Sequence, residues 1–152
     1  MFDFNGAYLN GELGEEEVIY MKEPEGYEQE GGGAVKQLKK SLYGLKQAGR
    51  KWYDVLAHTL TDLGFHISHA DPGVFHASIE GHSLILAVHV DNCVLTGSSA
   101  QLISKYKQKL HSRHALTDLG PIHWLLGIKV TCDCAMHTIS LSQHAYIDII
   151  LA

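Results

Sequence analysis

Long apolar runs are missing from this chain: the longest, Leu84 to Val88, has five residues, against the roughly 20 that a membrane-spanning helix requires. The N-terminus likewise lacks a basic stretch followed by an apolar one, so it does not have the form of a secretory signal. Both absences predict an intracellular, cytoplasmic protein. Cysteine is scarce and odd in number; Cys93, Cys132 and Cys134 predict reduced thiols rather than a disulfide framework. Cys132 and Cys134 form a lone C-x-C without the second half of a zinc spacing. The pairs His66/His69 and His111/His114 have no carboxylate or cysteine to complete a ligand set, so surface residues are expected there rather than metal sites. Charge is sparse too, at 19% of residues against 45% apolar, which excludes disorder and fibrous repeats. What remains is one domain's worth of globular chain, 152 residues long, able to bury roughly two thirds of its unfolded surface.

The charge that is present is unevenly placed. Residues 1–30 hold nine acids and one base, whereas residues 31–152 hold eight acids and eleven bases. Lys36, Lys39, Lys40, Lys46, Arg50 and Lys51 fall within sixteen residues that contain no acid, interleaved with Tyr43, Trp52 and Tyr53. Such a segment suits a phosphate-binding stripe; a solvated helix face is the alternative.

Periodicity supplies the elements. Met1 to Leu9 predicts a short strand that breaks at Asn10-Gly11, and Glu15 to Glu30 predicts no stable element. The Gly- and Glu-rich segment 22–34 is expected to be a flexible loop. Apolar residues at helical spacing predict a helix from Ala48 to Leu63, with Gly64 as its left-handed cap. A turn at Asp71-Pro72-Gly73 leads to strands over Val74–Ile79 and Ser83–Val90, joined at Glu80-Gly81. The next turn is expected at Asp91-Asn92, because both residue types tolerate positive φ, and it lifts a carboxylate to a hairpin tip. Ser98 or Ser99 caps a helix carrying Leu102, Ile103, Tyr106 and Leu110. Strands over Ile122–Thr131 and Thr138–Leu141 and a helix from Ser142 to Ala152 complete the order, which suits an α+β sandwich of one sheet backed by helices. Asp3 at a strand end and Asp91 at a hairpin tip could meet at one sheet edge and hold hard cations for phosphoryl transfer; a turn former and an unrelated strand-end residue are the bland alternative.

Six segments in order, "FDFNGAYLNGEL", "VIYMKEPEGY", "KQLKKSLYGLKQAGRKWYDVL", "DPGVF", "VHVDNCVLTGSS" and "LTDLGPIHWLLGIKV", resemble the reverse transcriptases (RNA-directed DNA polymerases) of copia-type LTR retrotransposons. The resemblance covers nearly the whole chain. It implies a ferredoxin-like polymerase palm, a mostly antiparallel sheet backed by helices, in which two Mg²⁺ ions (Mn²⁺ as a substitute) serve nucleotidyl transfer to a primer 3′ hydroxyl. By that resemblance Asp3 and Asp91 bind metal with the main-chain carbonyl of Phe4. Tyr8 closes the nucleotide pocket against a 2′ hydroxyl, and Tyr43, Gly44, Lys46 and Gln47 lie beside the incoming nucleotide. The acid-free basic run, rather than the resemblance, predicts that Lys36, Lys39, Lys40, Arg50 and Lys51 touch template or primer, and Leu126-Gly127 resembles the turn that grips the primer end. Partners implied are an RNA or DNA template with primer, dNTPs and the other polyprotein domains, with a virus-like particle as the setting in an intact element.

Three departures qualify the match. The hairpin reads His89, Val90, Asp91 and Asn92 where the family has Tyr-Val-Asp-Asp, so an amide replaces the second carboxylate. Gly49 stands where a proline is usual. The chain begins almost at Asp3, so the whole of 1–152 is expected to be a truncated palm without the preceding fingers, the thumb or RNase H. An impaired polymerase fragment and a catalytically inactive remnant that binds only nucleic acid or a protein partner both follow from these residues. A small α+β binding module unconnected with nucleic acid is a third reading.

Overall fold

The computed structural model describes residues 1–27 and 35–151. In chain order the elements are β1 (Phe2–Phe4), a 3₁₀ turn (Ala7–Asn10), β2 (Tyr20–Lys22), β3 (Val35–Gln37), α1 (Ala48–Asp62), β4 (His66–Ile67), β5 (Val74–Ile79), β6 (His82–His89), β7 (Asn92–Gly97), α2 (Ala100–His111), β8 (Leu116–Asp118), β9 (Trp124–Leu125), β10 (Ile128–Asp133), β11 (Thr138–Ser142) and α3 (His144–Leu151). The main sheet has the order β4-β5-β6-β7-β1-β8, and every neighbouring pair in it is antiparallel. A smaller sheet, β11-β10-β9, and a β2–β3 ribbon lie apart from it.

Alternation along the strands decides which face is covered. Phe2 and Phe4 are fully buried, as are Phe75, Leu84, Leu86 and Cys93, and these pack with Trp52, Leu56 and Leu60 of α1 and Leu102, Tyr106 and Leu110 of α2 in one core. The intervening residues, Asp3 among them, are turned to the opposite face. Helix α1 buries Ala48, Trp52, Leu56, Thr59 and Leu60, the stripe that 3.6-residue periodicity requires. It ends with Gly64 at φ +89°, the Gly64 N–H on the Thr61 carbonyl at 2.9 Å and the Phe65 N–H on the Leu60 carbonyl at 3.0 Å, the paired bonds of a Schellman motif. Ser99 caps α2, its side chain accepting from the Leu102 N–H at 3.4 Å.

Several expectations are corrected. The first strand stops at Phe4 because Gly6 takes a left-handed φ of +61° and Ala7–Asn10 coil into the 3₁₀ turn. The segment 15–30, expected to hold no element, contributes β2, which survives by pairing with β3 through Tyr20↔Gln37 and Lys22↔Val35; residues 28–34 of the expected loop lie outside the described residues. Ile122–Thr131 is a hairpin rather than one strand, since Leu126 and Gly127 both have positive φ, 51° and 79°. The turn between β6 and β7 is shifted by one residue: His89 pairs with Asn92, so Val90 and Asp91 form the tip, and the positive φ (58°) falls on Val90. No helix among the described residues is long and apolar enough to cross a membrane.

Candidate active site at the hairpin tip

Strand β1, between β7 and the edge strand β8, brings Asp3 to the hairpin. Asp3 is the register partner of Asn92 on one side and of Thr117 on the other, which lines up His89, Asn92, Asp3 and Thr117 across the face that the helices do not cover. The Phe4 N–H donates to the Asp91 carbonyl at 2.9 Å, locking the peptide after Asp3 against the tip. Asp91 is therefore beside Asp3, and partial burial together with the negative charge of Asp91 raises the Asp3 pKa. The Asn92 amide donates to Asp91 Oδ1 at 3.1 Å. Beneath them the Cys93 thiol is buried and its pKa is pushed up, first by burial and then by the charges of Asp3 and Asp91, so it stays an inert thiol. The three cysteines are free.

The second cluster is built by loops. Tyr8 of the 3₁₀ turn and Tyr43 before α1 stack with ring centroids 4.7 Å apart, inclined by 43°. The Ser41 hydroxyl donates to the Tyr8 carbonyl, and the Ser41 N–H reaches the Gly11 carbonyl at 2.8 Å. This crossing is why residue 11 is glycine: a Cβ there would stand 2.6 Å from Ser41 Oγ and 2.8 Å from Lys51 Cβ. Tyr8 also lines a cavity of about 160 Å³ with Gly49, Trp52, Tyr53, Val88 and Val90, so the aromatic pair adjoins the hairpin. Gly44 turns at φ +91° between Tyr43 and the exposed Lys46, and Gln47 precedes the first turn of α1. On the far side, Leu126 and Leu125 share a small cavity with Ala87, His89, Asn92 and Val94, which sets the Leu126-Gly127 turn against the same hairpin.

The basic stripe is less free than its acid-free sequence implies. Lys36 pairs with Glu23 at 3.0 Å, Arg50 with Asp54 at 2.9 Å, and Lys51 with Glu17, acids supplied by residues outside the stripe. Among the described residues no ion pair involves Lys39, Lys40 or Lys46, which are exposed.

Two residues that sequence reasoning left bland matter here. The Trp52 indole N–H donates to the Val90 carbonyl at 2.6 Å; an indole at a buried helix position needs a partner for its N–H, which was the available signal. His114, expected at the surface, is half-buried, packs edge-on against Phe4 and Trp52 at 5.9 and 5.5 Å, and hydrogen-bonds Thr59 Oγ1 at 2.9 Å.

Comparison with known sequences gives the chain its family. Residues 1–152 match the family model described as reverse transcriptase (RNA-dependent DNA polymerase), so the chain belongs to that family. It is 37% identical over 151 residues to the retrovirus-related Pol polyprotein from transposon TNT 1-94 of Nicotiana tabacum, covering 98% of this chain and 11% of that protein. It is 35% identical over 153 residues to the Pol polyprotein from transposon RE1 of Arabidopsis thaliana, covering 99% of this chain and 10% of the relative. The copia-type resemblance is thereby borne out, and the chain spans about a tenth of the length of these relatives. No solved structure matches it.

The family in general depends on divalent metal, and the donor set can be tested for fit. Asp3 and Asp91 are hard oxygen donors whose mutual repulsion is relieved by a cation. Among the described residues no group of three or more His, Cys, Asp or Glu side chains could hold a metal; beside Asp3 and Asp91 the hairpin offers the amide Asn92. Two carboxylates fit a hard dication, with less negative charge than a three-carboxylate site.

Proposed function

We propose that this chain is the palm region of an RNA-directed DNA polymerase that extends a primer 3′ hydroxyl with deoxynucleotides, weakened at its metal site by Asn92. The observation that carries the reading is the pairing of Asp3 with Asn92 on the uncovered sheet face with Asp91 beside them at the hairpin tip, flanked by the Tyr8–Tyr43 pair. The order β6-β7-β1-β8 with α1 and α2 on one face supports a ferredoxin-like palm.

In this reading Asp3, Asp91 and the Phe4 carbonyl hold divalent cations, which when bound supply charge neutralisation and lower the pKa of the primer hydroxyl. Asn92 contributes a carbonyl dipole and an N–H bond to Asp91, and so reduces the charge available for a second cation. The Tyr8 ring fills the space a 2′ hydroxyl would need, and Tyr43 supports it. Gly44, Lys46 and Gln47 lie along the nucleotide, with Lys46 meeting phosphate as a point charge. The Leu126-Gly127 turn steadies the primer end, and Lys39 and Lys40 with Lys36, Arg50 and Lys51 follow the nucleic-acid backbone. The 3′ hydroxyl gives its proton to water and its oxygen bonds to the α-phosphorus while the bond to pyrophosphate breaks. Template, primer, dNTPs and the remaining Pol domains are the partners, in the cytoplasm or a particle formed there.

The second reading, a remnant that binds nucleic acid without catalysis, is favoured by the Asn92–Asp91 hydrogen bond, which occupies one of the oxygens a cation would use. Primer extension separates the two, using this chain joined to the fingers and thumb regions of a relative. The proposal expects slow extension with Mg²⁺, faster extension with Mn²⁺, a marked gain with Mg²⁺ in Asn92→Asp, and none in Asp91→Asn. No extension under either metal, including in Asn92→Asp, would leave the binding remnant.

A further inference from the structure

We infer that Trp52 is a positioning residue that fixes the hairpin tip, and with it Asp91, relative to Asp3; its functional meaning rests on the nucleotidyl-transfer reading. Val90 and Asp91 lie outside the β6–β7 ladder, which closes at His89↔Asn92, so the Val90 carbonyl has no strand partner. Val90 also holds a φ of 58°, a conformation that a β-branched side chain resists. The tip is therefore held against its own preference by surrounding contacts.

Trp52 supplies that contact from the helix layer. Its indole N–H meets the Val90 carbonyl at 2.6 Å, and its ring stands edge-on to Phe4 with centroids 5.1 Å apart. One buried side chain thus touches the residue before Asp91 and the residue after Asp3. The indole cannot swing away, because Phe4 flanks it and His114 packs at 5.5 Å, itself anchored on Thr59. The Phe4 N–H to Asp91 carbonyl bond, 2.9 Å, closes a loop of contacts running Trp52, Val90, Asp91, Phe4 and back to Trp52.

The test replaces Trp52 with 3-benzothienyl-alanine, which keeps the fused-ring shape and exchanges the N–H donor for sulfur; Trp52→Phe serves as the second variant. Amide hydrogen exchange of the metal-free chain reads the effect, with the Phe4 amide as reporter and the β5–β6 ladder amides as controls. Loss of the donor is expected to speed Phe4 exchange roughly five- to tenfold while the ladder amides stay within about twofold. Unchanged Phe4 exchange, or an equal rise at all these amides, would overturn the inference. A Mn²⁺ titration followed by water-proton relaxation tests the functional part: the isosteric variant is expected to bind Mn²⁺ several-fold more weakly than wild type although Asp3 and Asp91 are intact. Unchanged Mn²⁺ affinity in that variant would overturn the link to the metal site. Wild-type affinity no greater than that of Asp91→Asn would instead refute the nucleotidyl-transfer reading, and the exchange data would still decide the role of Trp52.

Discussion

Replacing Asp3 by asparagine should stabilise the metal-free fold at neutral pH while removing its response to divalent cations. Asp3 is held on the uncovered face by its buried neighbours Phe2 and Phe4, and burial plus the charge of Asp91 raise its pKa above the ordinary 3.8. A carboxyl whose folded-state pKa is raised contributes stability that is fully present below the unfolded value and is lost as pH rises through the folded one. Near neutral pH the native state bears the repulsion that raises the Asp3 pKa, and the unfolded chain does not. Two like charges in a partly solvated site repel by at most about 1 kcal/mol after screening, and a chain of this size shifts its midpoint by roughly 2–4 °C per kcal/mol. Asp3→Asn should therefore raise the melting temperature by about 1–3 °C at pH 7 in chelator, with the advantage vanishing below the ordinary value of 3.8. Circular dichroism melts at both pH values, with and without Mn²⁺, make the comparison. Mn²⁺ should stabilise wild type by mass action and leave Asp3→Asn unmoved. A lower melting temperature for Asp3→Asn at pH 7, or equal Mn²⁺ stabilisation of both proteins, would refute the account of this carboxylate pair.

Further consequences concern the supports of the site. His114 has its pKa lowered, first by burial and then by Arg113, so stability should be intact above the ordinary 6.5 and decline as pH falls through the lowered value; urea midpoints at mildly acidic and neutral pH should show this in wild type and much less in His114→Asn. Gly11→Ala forces a Cβ to within 2.6 Å of Ser41 Oγ, and should cost about 1–3 kcal/mol in denaturant unfolding. Gly49→Ala places its Cβ 3.6 Å from the Tyr8 hydroxyl, an ordinary contact in a helix, and should add about 0.5 kcal/mol by the same measurement. If primer-template binding runs along the basic segment, Lys39→Ala, Lys40→Ala and Lys46→Ala should each flatten the salt dependence of affinity by up to about 0.9 in log–log slope. Arg50→Ala should change the slope less, its charge being shared with Asp54; a larger change for Arg50 than for Lys46 would contradict that pairing.

Local chemistry by itself determined much of this protein. The 3.6-residue stripe of α1, its Gly64 cap, the Ser99 cap of α2 and the Glu80-Gly81 turn all follow from neighbours a few residues apart, and each is found where such interactions put it. The collinear motifs were likewise sufficient for the family. Tertiary structure decided what depends on residues far apart in the chain. Register put the hairpin tip at Val90-Asp91 instead of Asp91-Asn92: His89 pairs with Asn92, and the tip is tied from outside the hairpin by the Phe4 N–H on the Asp91 carbonyl and the Trp52 indole on the Val90 carbonyl, whatever φ Val90 must then adopt. The basic stripe lost half its free charge to Glu17, Glu23 and Asp54, and no window within residues 36–51 contains those acids. Trp52 and His114 became the underside of the site for the same reason. A hydrogen bond between residues 38 apart, or 55 apart, leaves no periodic trace in sequence, since only folding brings the two groups within reach of each other.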